Sequence, residues 1–169
     1  MVTINASTTS GLVMTSDLSG VLQFQQNGVA LPNGGVAPAF SAYQSSAQAL
    51  ASNTNTKITY DTEEFDTNNN FASSRFTPTV AGYYQVSGGL SPGQFACGVL
   101  ATVYKNGSVY KNLFSYQSTV TGNGGFGSTL VYLNGTTDYV ELYGLLSTAQ
   151  NLFTGIQLTY FNGCLVRGA

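Results

Sequence analysis

Residues 119–133, TVTGNGGFGSTLVYL, contain Gly122, Gly124 and Gly127 in the order G-x-G-x-x-G. Two readings compete. A dinucleotide cradle needs a helix directly after the glycines, because the first-turn N–H groups and the helix dipole hold the pyrophosphate. The next residues are STLVYL, in which Thr129, Val131 and Leu133 alternate with Ser128, Leu130 and Tyr132. Period-two alternation among β-favouring residues predicts a strand. The preceding SYQSTVT is also extended, so the glycines are expected to form a flexible hairpin tip rather than a phosphate site.

Outward from that stretch, Pro and Gly punctuate short alternating segments. Strands are expected at 37–43, 56–61, 74–79, 82–90, 97–107, 108–120, 128–135, 138–146 and 155–167. SAYQSSAQALA (41–51) has helix-like spacing at Tyr43, Ala47, Leu50 and Ala51, but it is isolated and Ser-rich; it reads as a loop with one helical turn. Many short strands with regular turn signals predict an all-β antiparallel sandwich or jelly roll. Eleven Tyr and ten Phe are available to fill its core and edges.

Composition excludes several functions. Charged residues make up 7% of 169 residues, against about 25% in an average domain. No apolar run approaches the roughly 20 residues that span a bilayer, so membrane insertion is not expected. A net charge of -2 offers no basic stripe, so neither is a nucleic-acid partner. With no His, His-dependent triads and His-ligated metal sites are ruled out.

The acidic cluster YDTEEFDTNNNF carries Asp61, Glu63, Glu64 and Asp66. A carboxylate pair such as Glu64 and Asp66 would suit a carbohydrate-active enzyme. The calcium-loop template, started at Asp66, fails because Phe71 and Thr77 stand where Gly and Glu are required. A solvated strand end with an Asn-rich loop is preferred, so no catalytic residue, metal or cofactor is expected. The sequons at Asn5, Asn106 and Asn134 are read as turns where Asn-Gly occurs, and the N-terminus lacks a secretory signal pattern. Cys97 and Cys164 are expected to be two buried free thiols, pairing only if the fold and an oxidising compartment allow it.

In FTPTVAGYYQV (76–86), Pro78 belongs at a strand end and Gly82 permits a turn into the next strand. Tyr84, Val86 and Gly88 then share one face and Tyr83, Gln85 and Ser87 the other. One face can pack a core; the other can meet a partner. The closing stretch LTYFNGCLVR alternates Leu158, Tyr160, Asn162 and Cys164 against Thr159, Phe161, Gly163, Leu165 and Arg167, so both faces carry apolar groups. Both therefore need cover.

The order of these motifs resembles the complement C-one-q globular-head and tumour-necrosis-factor-like jelly-roll superfamily, with its bacterial and bacteriophage relatives. The matching residues are Phe40; Phe65, Asp66 and Phe71; Phe76, Thr77, Pro78, Gly82, Tyr83 and Tyr84; Lys105 to Gly107; LNGTTDYVEL at 133–142; and Phe161 with Gly163. The resemblance covers about residue 38 to the end. It implies a homotrimer, with Tyr83, Tyr84, Tyr160, Phe161, Gly163 and Leu165 as candidates for the trimer contact or core.

Residues 1–37 lie outside that head (38–169) and read as an N-terminal β arm, with LPNGG as a hinge. Their Ser, Thr, Asp and Gly turns resemble segments of phage tail-fibre proteins. The expectation is a non-enzymatic virion-surface protein of a tail fibre or capsid decoration. The arm would dock on other virion proteins, and the trimeric head would present loops to a host-surface glycan. A secreted, host-encoded binding module is the alternative, and would need a signal sequence upstream of Met1.

Overall fold

Period-two alternation becomes strand throughout the computed structural model, which describes residues 13–16, 22–26, 29–30, 37–93, 96–119 and 123–169. The chain divides into two compact units, Met1–Ala37 and Pro38–Ala169. In the first, β1 (Val13–Ser16), β2 (Leu22–Gln26) and β3 (Val29–Ala30) pair antiparallel in that order. The LPNGG hinge lies outside the described residues.

The second unit contains β4 (Ala39–Tyr43), β5 (Ala49–Leu50), β6 (Thr56–Lys57), β7 (Thr62–Asp66), β8 (Phe71–Ala72), β9 (Arg75–Phe76) and β10 (Gly82–Leu90). It continues with β11 (Cys97–Lys105), β12 (Ser108–Ser118), β13 (Gly125–Leu133), β14 (Val140–Leu146), β15 (Gln150–Asn151) and β16 (Tyr160–Gly168). A five-stranded front sheet runs β13-β10-β16-β4-β7. A six-stranded back sheet runs β12-β11-β14-β9-β8, with β6 also on β14. All the strand pairs are antiparallel, and a β15-β5 pair stands apart from both sheets. The unit is an antiparallel jelly-roll sandwich.

An aromatic cluster drawn from both sheets fills the space between them. Phe40 stacks on Phe76 at 4.4 Å and on Phe71 at 4.8 Å, and Phe161 meets Phe40 edge-on at 5.0 Å. Phe76 meets Tyr84 edge-on at 5.5 Å, and the buried Tyr84 hydroxyl donates to Val80 O at 2.7 Å. That bond satisfies the one polar atom the ring brings inside. Val86, Val131, Leu133, Leu142 and Leu146 complete the core.

The glycine-rich stretch is flanked by strands as expected, but β12 and β13 are not ladder partners. One is the edge of the back sheet and the other the edge of the front sheet. The glycines serve this crossing: a Cβ on Gly127 would lie 2.5 Å from Leu113 O, and one on Gly125 would lie 2.7 Å from the Phe114 ring. Gly122 lies outside the described residues.

Three other expectations change. No helical turn forms in 41–51, where Gln44 and Gln48 instead tie the loop to the chain beyond β6: Gln44 Nε2 donates to Thr59 O and Gln48 Oε1 accepts from Thr59 N. The closing strand begins at Tyr160, not Gly155, because Leu158 N and Thr159 N both donate to Gly155 O and close a turn. Cys164 is exposed, because it faces away from the core; only Cys97 is buried, and both are free thiols.

The Asn-Gly turns hold. Asn106 and Gly107 have φ of 52° and 77°, which suits a tight hairpin between β11 and β12. Asn134 Oδ1 accepts from the N–H groups of Thr136, Thr137 and Asp138.

Candidate functional site

Strand register divides the sequence-derived candidates between two faces of the front sheet. Along β10 and β16, Tyr84 is opposite Leu165, Val86 opposite Gly163 and Gly88 opposite Phe161. Tyr84 and Phe161 are fully buried, and Leu165 packs against the same core. Gly163 belongs to this inner set too. A Cβ there would lie 3.0 Å from both the Phe40 ring and Val86 Cγ1, and 2.9 Å from Gln85 O. The crowding that requires glycine is therefore within one chain. Tyr160 is half-buried, with its carbonyl near the Tyr60 hydroxyl at 3.5 Å.

Tyr83 alone of the six is exposed, beside Tyr132 with ring centroids 5.5 Å apart. It belongs to a larger surface that the motifs did not single out. Phe65 (51% exposed), Tyr83 (49%), Phe126 (77%), Leu130 (54%), Tyr132 (40%) and Val166 (57%) all lie on the front sheet. Of nine large hydrophobic side chains exposed among the described residues, these are six, so exposure is concentrated rather than scattered. The signal is present in β13: Phe126, Leu130 and Tyr132 form one apolar phase while Val131 and Leu133 form the other.

Between the apolar groups lie Ser41, Gln85, Ser87, Asn162 and Cys164, none of them charged. These residues line a shallow depression of about 410 Å³, with Phe65 at one side. A second depression of about 770 Å³ is lined by Tyr83, Leu130, Tyr132, Val166 and Arg167. Apart from Arg167, the side chains that line the two depressions carry no charge, so most of this surface desolvates at little electrostatic cost.

The acidic cluster has structural duties. Asp61 accepts from Ser45 N at 2.6 Å and Ser46 N at 2.9 Å, and these bonds, led by that from Ser45, hold its carboxyl down at about 2. Asp66 accepts from Phe71 N at 2.7 Å and from Asn68 N at 3.3 Å, while Glu64 accepts from the Ser41 hydroxyl at 2.7 Å. Asn70 donates to Asn68 O and accepts from Thr79 N. Among the described residues no group of three or more His, Cys, Asp or Glu converges on one point.

Local sequence motifs also miss the ion cluster on the back sheet. Glu141, almost fully buried on β14, accepts from Lys57 Nζ at 2.7 Å and Arg75 Nε at 2.8 Å. Burial alone would push its carboxyl up, but hydrogen bonds and charge from Lys57 and Arg75 outweigh this and hold it below the ordinary range. Arg75 lies over the Tyr139 ring, 3.7 Å from its centroid.

The same sandwich recurs in solved structures. The globular domain of zebrafish complement 1qA protein aligns over 79% of this chain and 99% of its own, at 18% identity and a TM-score of 0.55. Murine APRIL aligns over 76% of this chain and 98% of its own, at 11% identity and a TM-score of 0.56. Eiger TNF from S. frugiperda aligns over 79% of this chain and 94% of its own, at 8% identity and a TM-score of 0.52. The head thus has the fold of the complement globular-head and tumour-necrosis-factor jelly rolls. No protein-family model and no curated protein sequence matches the chain.

Proposed function

We propose that the chain is a non-enzymatic display head that assembles as a homotrimer through the open face of its front sheet. The observation that carries this is the set of six exposed apolar side chains on the outer side of a sheet whose inner side is already the core. The FTP…GYY resemblance to a trimeric superfamily supports a second and third copy as the cover. A three-fold arrangement also closes on itself, so no apolar face is left to nucleate a fibre.

The finer reading is a bacteriophage surface protein, of a tail fibre or capsid decoration. It is supported by the charge-poor surface composition and the phage-like turns of the arm. In it, the arm (1–37) docks on other virion proteins and the head engages a host-surface glycan, three copies raising avidity by about 10² to 10⁴. Two measurements test the proposal. Leu130→Lys should produce a folded monomer, because a charge in the covered face forbids assembly; an intact trimer would remove that face from the interface. Deleting residues 1–35 should leave a folded head that no longer joins particles, since the head has its own core. Normal incorporation would show that the arm is not the anchor.

A further inference from the structure

On the outer side of the back sheet, two contacts fix Arg75 and use only part of it. Its Nε–H donates to Glu141 Oε1 at 2.8 Å and its guanidinium carbon lies over the Tyr139 ring, 3.7 Å from the centroid. Among the described residues no hydrogen bond takes up its two terminal NH2 groups, and the side chain is 42% exposed. Arg75 borders a cavity of about 420 Å³ whose lining also includes Lys57, Asn69, Ser73 and Thr77 and no acidic residue. Within the described structure the Asn69 amide and the Ser73 and Thr77 hydroxyls likewise make no side-chain hydrogen bond, and these three residues line the same cavity as Arg75. Asn69 and Ser73 both sit at positive φ, 51° in each case, in the tight turns that bring β8 and β9 around the cavity.

The charge balance selects the ligand. Lys57 and Arg75 contribute +2 and the buried Glu141 -1, leaving +1 at the cavity. One monoanion neutralises that; a dianion overshoots it. A guanidinium held in a fixed plane with two free NH2 groups matches the two oxygens of a carboxylate. The amide and hydroxyls around it match the hydroxyls of a sugar. We infer that this cavity binds a carboxylate-bearing saccharide, with Arg75 on the carboxylate and Asn69, Ser73 and Thr77 on hydroxyl groups. The inference rests on the display-head reading and gives it a binding site on the sheet opposite the assembly face.

The test is titration of the full chain with sialyllactose and with lactose by NMR or calorimetry, alongside light scattering. Arg75→Lys keeps the charge and the Glu141 pair but removes the fork; Asn69→Gly keeps the positive-φ turn but removes the amide. Sialyllactose should bind saturably and lactose at least roughly tenfold more weakly, and Arg75→Lys, checked to be folded at the assay temperature, should weaken sialyllactose roughly tenfold. Asn69→Gly should weaken it by a smaller factor. Equal binding of lactose, unchanged binding by Arg75→Lys, or no saturation at concentrations on the order of 10 mM would overturn the assignment. Acetate competing as well as sialyllactose would overturn its saccharide part. A trimer that fails to bind refutes this site alone, whereas a monomer that binds refutes the assembly reading alone.

Discussion

Truncating Phe161 to Ala removes the ring that joins the closing strand to the core. It is fully buried, with Phe40, Tyr60 and Phe71 ring centroids at 5.0, 6.1 and 6.4 Å. Phe→Ala in a core costs about 3–5 kcal/mol, from lost transfer energy plus the cavity left behind. Here the cavity resists collapse. The residue opposite Phe161 on β10 is Gly88, and the next inward position on β16 is Gly163, so neither neighbour has a side chain to move into the hole. The loss should therefore lie near about 4 kcal/mol, or about 8–16 °C in melting temperature for a chain of this size. The chain has no Trp, so urea unfolding is followed by near-ultraviolet circular dichroism of tyrosine, at one protein concentration because assembly adds to stability. Ile156→Ala, at a side chain 50% exposed in the connection before β16, is the control for removing apolar atoms outside both the core and the assembly face. A loss under about 1 kcal/mol for Phe161→Ala, or equal losses in the two variants, would refute the placement of Phe161 in the core.

Gly163→Val should destabilise by about 1–3 kcal/mol in denaturant titrations, since even a Cβ presses on Phe40 and Val86. Asp61 should make stability fall with acid. Its folded pKa of about 2 lies below the unfolded value of about 3.9, so its contribution is full above that higher value and disappears as pH falls toward the lower one. Melting curves of Asp61→Asn and the parent chain should differ at pH 6 and converge near pH 2; a constant gap would show the carboxylate is not the cause. A thiol reagent should spare Cys97, which is buried and whose thiol burial pushes up, despite the opposing Gln150 hydrogen bond. Cys164 lies on the open face, so it should react faster as the protein is diluted and the assembly separates; a rate independent of concentration would place that thiol outside the interface.

Strand alternation makes the fold legible because a jelly roll's faces are written at period two. One residue of offset puts Tyr83 and Tyr84 on opposite faces; that Tyr84 is the inward one is seen only in the structure, where it is buried and Tyr83 is exposed. The glycine stretch shows what the pattern lacks: alternation reveals two strands flanking the loop, but not that β12 and β13 belong to different sheets. Residue type alone puts Cys164 inside, because free thiols are usually buried, a tendency that the strand's own phase overrides. The Glu141 cluster joins side chains up to 84 positions apart, Lys57 being the most distant, so no local window contains it. Gly163 illustrates the opposite case: its need for small size is readable, while identifying Phe40 and Val86 as crowding neighbours requires the register.

Light scattering of the wild-type chain at micromolar concentration reads the assembly state itself. With the open face as the interface, the particle should have three times the 17.7 kDa chain mass, reduced to a single folded chain by Leu130→Lys on the front sheet. A wild-type monomer across the micromolar range, or a trimer indifferent to that substitution, would contradict it.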